Sequence, residues 1–253
     1  MQKPDIALTD IVSALGLLTR LPVRVDTVRA AERGARAAWA YPLAGFAVAA
    51  LQAAVATFLM WLDVPVTLVA GLVVLAGIVL TGAMHEDGLA DSADGIWGGW
   101  TSDRRLEIMK DSRIGTYGVL ALILSLMLRW SALSTLLYYE PVTLALFPAA
   151  MLSRAAMVTV MSALPNARTD GLARSVGRPD EKTALIAAFI AVAGSVVVLG
   201  AWLIPVLLVL VLAALTCASI PMRKIGGQTG DILGATHQVC EIAVLVTLVA
   251  LAI

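Results

Sequence analysis

The chain has 253 residues, of which 60% are hydrophobic and 14% charged, with a mean hydropathy of +0.89. That balance excludes an ordinary soluble domain and points to an all-α, polytopic helical membrane protein. The 18 basic and 18 acidic residues cancel, so no nucleic acid or other polyanion is implied as a partner.

Taken in chain order, the first candidate element is the apolar stretch 6–18, which is short and interrupted by Asp10. It reads as an interfacial or partly inserted helix. No small-residue cleavage site follows it, so it does not read as a signal peptide. Residues 1–39 form the only sizeable polar extension, expected to be cytoplasmic or interfacial. Apolar segments then run at roughly 40–62, 64–83, 116–139, 141–164 and 183–204, each long enough to cross a bilayer. Two shorter ones, at roughly 205–220 and 237–253, bring the expected count to about seven. Pro65, Pro141 and Pro205 fall in tight turns between paired spans. With no linker or low-complexity tract, residues 1–253 read as a single integral-membrane domain. Cys217 and Cys240 fall in or beside spans and are expected to be small buried hydrophobes rather than a disulfide.

The basic residues set an orientation. Lys3, Arg20, Arg24, Arg29, Arg33 and Arg36 precede the first span. Arg104, Arg105, Lys110 and Arg113 follow the second. Arg168, Arg174, Arg178 and Lys182 follow the fourth, and Arg223 and Lys224 the sixth. The alternate connections, near Asp63, Glu140 and Pro205, carry no Lys or Arg. By the positive-inside rule all four basic segments face the cytoplasm.

Residues 85–118 carry more than a third of the 18 acidic residues. Asp87, Asp91 and Asp94 are spaced i, i+4, i+7, which on a helix places three carboxylates on one face. Like charges so placed repel unless a cation lies between them, and Mg2+ is often held by a few carboxylates plus substrate phosphates. Gly88, Gly95, Gly98 and Gly99 let backbone approach a ligand closely. Glu107 and Asp111, again i, i+4, are candidates to add carboxylates from a second helix. Lys110 and Arg113 are placed to bind phosphate oxygens. This mixture of acids and bases suits phosphoryl transfer. His85 adjoins the first aspartate as a base, a phosphate donor or a ligand, or equally as a helix-end residue at the interface.

The last connection, GGQTGDILG at 226–234, offers Thr229 and Asp231 in a second glycine-rich cradle, or else a flexible turn. Glu241 lies inside the final span, where a carboxylate is costly and marks a functional candidate. Arg129 and Arg154 are the basic residues inside spans. Either could pair with Glu241 to hold the bundle, and Arg154, far from its span's end, could also steady a substrate phosphate.

HEDGLADSADG at 85–95 with LEIMKDSRIGTYG at 106–118 closely resembles the signature of the cobalamin synthase family, the adenosylcobinamide-GDP ribazoletransferases of bacteria and archaea. TGDILGA at 229–235, TRLPV at 19–23 and YPLAG at 41–45 resemble its other patterns. Two positions depart from it: Glu86 adds an acid, and Gln228 stands where an aromatic residue is expected. The resemblance implies transfer of the adenosylcobinamide-phosphate group from adenosylcobinamide-GDP to α-ribazole or its 5′-phosphate. The products are adenosylcobalamin, or its 5′-phosphate, and GMP, late in cobalamin synthesis. It also implies Mg2+, held on this reading by Asp87, Asp91 and Asp94. The place would be the inner face of the bacterial cytoplasmic membrane. His85, Glu107 and Asp111 are candidates for the proton acceptor. The alternative from another class is a cation-coupled transporter using the aspartates and Glu241, although transport sites usually lie near the bilayer midplane.

Overall fold

A computed structural model describes residues 6–139 and 141–253, so Lys3 and Glu140 lie outside the described residues. Among those residues every regular element is helical, apart from one isolated bridge between Asn166 and Gln228. The helices are α1 (Thr9–Leu18), α2 (Thr27–Arg33), α3 (Tyr41–Trp61), α4 (Val66–Thr81), α5 (Met84–Gly98) and α6 (Ser102–Ile108). They continue with α7 (Thr116–Tyr139), α8 (Val142–Ala163), α9 (Leu172–Val176), α10 (Glu181–Leu199), α11 (Leu203–Ile225) and α12 (Gly230–Ala252). A 3-10 turn, Gly34–Ala40, joins α2 to α3.

The seven long helices α3, α4, α7, α8, α10, α11 and α12 stand where apolar segments were expected, but α12 begins earlier. Its start at Gly230 makes much of the expected 226–234 loop the first helical turn, with the Thr229 side chain accepting from the Ile232 N–H. By length and apolarity, five stretches qualify as membrane spans. A sixth qualifies only if α4 and α5, bent by 89°, count as one broken span. The protein is therefore a polytopic helical membrane protein, and the expected figure of seven crossings exceeds what length and apolarity alone support.

Helix α8 is the centre of the bundle. It packs against α3, α10 and α12, and 83% of its apolar window is buried. Ala145, Ala149, Leu152 and Ala156 on α8 meet Ala191 of α10 and Val244, Leu245 and Leu248 of α12 in one core. The small alanines let the helix backbones come close, the packing that substitutes for a hydrophobic drive in lipid. A second core, toward the opposite end of α8, joins Met157, Val158 and Met161 to Ala38, Trp39 and Ala187.

All four basic segments gather at one end. A side chain at Gly34 would strike the carbonyl of Val176, Lys110 pairs with Asp170, and the Arg105 guanidinium donates to the carbonyl of Lys224. We call this the polar end. It is reached by α4, which stops at Gly82 and Ala83, both left-handed with φ of +64° and +57°. Gly82 adopts that conformation freely, whereas Ala83 carries a cost of roughly 1–2 kcal/mol. The two residues together redirect the chain by 89°, so α5 turns back across the polar end.

Helix α1 is docked on the rest of the bundle. Asp10, expected to break an apolar stretch, is 0% exposed and accepts from the Arg33 guanidinium and from Trp39 Nε1 at 2.8 Å. The charge that looks like an interruption is the group that docks α1 on the 3-10 turn. Breaking such a buried pair costs about 3–5 kcal/mol. Asp10→Ala should therefore lower the thermal midpoint in detergent by several degrees, and Asp10→Asn, which keeps an acceptor, by less. An Asp10→Ala protein that melts with the parent would show that this docking is dispensable.

Candidate active site

The polar end is organised by the contact of α5 with α12. A Cβ placed on Gly88 would lie 2.9 Å from the Asp231 carbonyl oxygen and 3.2 Å from the Gly234 Cα. Only glycine permits that approach, and it brings the 85–118 segment and the TGDILGA turn into one site. The 164–170 segment joins them from the far side. Ala167 N donates to Gln228 O, Gln228 N donates to Pro165 O, and the two side-chain amides of Gln228 and Asn166 bond at 2.5 Å. Between these segments lies a cavity of about 240 Å³, lined by His85, Asp87, Thr229 and Asp231 among others.

Helical spacing divides α5 into two faces. Asp87 is exposed and Asp91 half-buried on the outer face, while His85 and Glu86 are buried on the inner one. Asp91 is pushed up to about 7 by burial and by the negative charges of Asp87, Asp231 and Asp94, against which only Arg168 acts. Arg168 bonds Asp231 at 3.0 Å. Asp94, on the same side of the helix, is occupied differently. Its two oxygens accept the Gly115 N–H at 2.7 Å and the Gly118 N–H at 2.9 Å, capping the start of α7. Among the described residues no three His, Cys, Asp or Glu side chains converge on a single point. The expected set of three ligands from Asp87, Asp91 and Asp94 is thus not assembled as a cage. Asp87 and Asp231 line the cavity, and their charges, with that of Asp94, act on Asp91. This crowded donor set fits a hard divalent cation that takes one or two carboxylates and fills its remaining positions with water and substrate phosphate.

Of the three candidate proton acceptors, only His85 reaches the cavity. It is 1% exposed and stacks on His237 with ring centroids 4.0 Å apart. His85 Nε2 has no hydrogen-bond partner within the protein. Glu107 faces solvent with its side chain 69% exposed and pairs with Arg104. Asp111 lies beyond the end of α6, held at about 2 by hydrogen bonds from Arg113. An acid so strong is a poor proton acceptor near neutral pH. The expected i, i+4 pair fails because α6 ends at Ile108, where Met109 turns inward to pack with Ile96, Ile225 and Ile232. Arg113 is likewise exposed and committed to Asp111. Lys110 reaches the rim of the cavity through Asp170.

Beneath the cavity the ionisable groups of the bundle are matched to one another. Glu86 Oε1 accepts from Arg129 and from Gln238 Nε2, both at 3.0 Å, and Arg129 also faces Glu241 at 3.6 Å. Ser125 donates to Gln238 at 3.0 Å. Arg154 is 1% exposed, donates to the Ala150 carbonyl, and lies in the field of Glu241 and Glu86. It does not line the cavity. The partner that reaches Glu241 directly is Arg129 rather than Arg154, and Glu86 holds Arg129 in turn.

The cobalamin-5-phosphate synthase family profile matches residues 10–249 of this chain. The chain belongs to the cobalamin-5-phosphate synthase family. It is 45% identical over 244 residues to the adenosylcobinamide-GDP ribazoletransferase of Bradyrhizobium diazoefficiens, covering 96% of this chain and 94% of that protein. It is 44% identical over 250 residues to the protein of that name from Azorhizobium caulinodans, covering 94% of each. A Sinorhizobium protein of the same name is 45% identical over 248 residues, covering 93% of this chain and 94% of that one. No solved structure matches.

For this cobalamin-5-phosphate synthase family member, the site includes residues that sequence reasoning passes over. Arg168 and Asn166 sit in a loop notable in the sequence only for its charge. His237 reads as an isolated histidine in a span, although it is one of only two in the chain, which is the available signal. Gly88→Ala should force α5 and α12 apart, because the neighbouring atoms are backbone and cannot rotate away. Reduced folded yield and a lower thermal midpoint in detergent are expected, and parent-like values would contradict the close contact. Arg129→Ala should lose as much folded protein as Arg154→Ala, since it leaves two buried carboxylates without their guanidinium. Gel filtration of both variants in one detergent checks this.

Proposed function

We propose that this protein transfers the adenosylcobinamide-phosphate group of adenosylcobinamide-GDP to α-ribazole or its 5′-phosphate, releasing GMP. The cofactor is Mg2+, and the site faces the cytoplasm at the bacterial inner membrane. The observation that carries the reading is the position of Asp87 and Asp231 on the cavity lining with Asp91 in their field, where Arg168 supplies the opposing charge. Its likeness to proteins named adenosylcobinamide-GDP ribazoletransferase along nearly the whole chain supplies the reaction. The collection of basic segments at one end supports the cytoplasmic placement through the positive-inside rule. The pairing of Glu86 and Glu241 with Arg129 favours an enzyme over a cation carrier, because the acids within the bundle already have partners.

In this reading a ribose hydroxyl of the acceptor attacks the phosphorus bonded to cobinamide, and the bond to the GMP oxygen breaks. Asp87 and Asp91, with Asp231, would hold Mg2+. The ion, when bound, offsets charge on the diphosphate and the leaving phosphate. His85 is the candidate that brings an unpartnered ring nitrogen, Nε2, to the cavity to take the hydroxyl proton, and burial with the charges of Arg154 and Arg129 holds its pKa well below the usual histidine range. Arg168 and Thr229 meet phosphate oxygens at the cavity mouth, and Lys110 adds positive charge at its rim. Asp94 keeps the end of α5 against α7 and so fixes the direction of the aspartate face.

Purified protein incubated with adenosylcobinamide-GDP, α-ribazole and Mg2+ should release GMP. Asp91→Ala should lower the rate at least about a hundredfold, since positioning and charge offset supply most of phosphoryl-transfer catalysis. Near-parent turnover of this variant at saturating Mg2+ would remove Asp91 from the ligand set. Asp91 must be ionised to hold the cation, and its carboxyl titrates at about 7. As pH falls from about 8 to about 6, protons should compete with metal and the Mg2+ concentration for half-maximal rate should rise. A half-saturating concentration that stays flat across that range would contradict the assignment.

A further inference from the structure

The cavity beside the aspartates has two unlike halves. One is polar and adjoins Asp87 and Asp231. The other is apolar, with three methionines, Met84, Met157 and Met161, beside Leu17, Tyr41 and Leu233. At the junction stand Gln228 and His85, each 1% exposed. Each leaves one buried polar atom without a partner: the amide oxygen Oε1 of Gln228 and Nε2 of His85. Such atoms are costly unless something supplies the missing hydrogen bond. Neither the methionine wall nor the enclosed amide is needed to hold a metal or a diphosphate.

Three parts of the two substrates compete for this space. At about 240 Å³ the cavity is too small for a corrin macrocycle and its amide arms. Guanine carries hydrogen-bonding groups along most of its edge, and the methionine side of the cavity offers them no partner. The acceptor nucleoside differs. Its base is a flat, methyl-bearing heteroaromatic ring with one free ring nitrogen, and its sugar presents hydroxyl donors. Thioethers make favourable contacts with aromatic rings and adapt to their shape. A ribose hydroxyl is the donor that Gln228 Oε1 lacks.

Resting on the reaction proposed above, we infer that this cavity is the acceptor subsite, with the benzimidazole of α-ribazole on the Met84, Met157 and Met161 wall and its ribose at Gln228 and His85. The sugar then lies next to Asp87 and Asp231, where the phosphorus of the donor is presented. The corrinoid and the guanosine remain outside the cavity, toward the exposed side of α5. Gln228 and the methionines are binding residues for the acceptor alone.

The test is equilibrium dialysis of radiolabelled α-ribazole against the purified full-length protein in detergent, without donor and without Mg2+. Saturable binding is expected, displaced by free 5,6-dimethylbenzimidazole and unaffected by GMP. Gln228→Leu and Met161→Ala, both checked for parent-like thermal midpoints, should weaken α-ribazole binding about tenfold, or ~1.4 kcal/mol. In the full reaction both should raise KM for α-ribazole and leave KM for adenosylcobinamide-GDP within about twofold. Displacement of α-ribazole by GMP, or a rise confined to the donor KM, would overturn the assignment. So would parent-like α-ribazole binding in both variants. The two failures stay separable: a parent that releases no GMP counts against the reaction, whereas absent or GMP-sensitive nucleoside binding counts against the cavity.

Discussion

Two helix backbones touch where Gly88 of α5 meets Asp231 and Gly234 of α12, and the arrangement of the polar end depends on that contact. The chain between them is long, and nothing local holds residue 88 near residue 231. The approach is possible because both sides are glycine, so the helices pack without side chains between them. It brings the Asp87 and Asp91 face to Asp231, lays His85 on His237, and gives Glu86 its bond to Gln238. A single side chain inserted there would push all three relationships apart.

The same helix solves two electrostatic problems with opposite faces. Outward, its aspartates accumulate negative charge, which with burial pushes the Asp91 carboxyl up to about 7. Inward, Glu86 faces a medium in which an unmatched charge is very costly, and there it meets Arg129. Glu86 fastens α5 to α7 and α12 without taking part in the aspartate cluster.

Much of this arrangement is legible in the amino-acid sequence. The apolar lengths mark most of the long helices to within a few residues, because bilayer thickness dictates them and Pro65 and Pro141 sit where the chain turns. By contrast, α12 starts seven residues early, and Pro205, expected in a turn, falls in the first turn of α11. The helical face of Asp87 and Asp91 is legible for a similar reason: periodicity is a local property. What escapes such reasoning is non-local. Glu107 and Asp111 have helical spacing, but α6 stops at Ile108 because Met109 is drawn into a small core built partly by residues more than a hundred positions away. Asp94 has the right face, yet the N–H groups at the start of α7 claim it. Asp10 looks like a flaw in an apolar helix because Arg33 and Trp39, which receive it, are distant in sequence. Arg168 and Asn166 give no sign of their partners, which lie more than sixty residues further on.

The ion pairs of the bundle bear on how the protein is made. Arg129 leaves the ribosome after Glu86, so α7 finds a partner already in place when it enters the bilayer. Arg154 emerges next, on the most enclosed helix, and one of the two acids acting on it, Glu241, belongs to α12, the last helix synthesised. Until α12 arrives, a guanidinium at the heart of the bundle lacks half of its counter-charge, and His85 lacks the ring it stacks on. A chain that stalls before residue 230 would thus present an incompletely neutralised charge to the insertion machinery. The last helix to be made completes both the charge balance of the bundle and the histidine stack at the polar end.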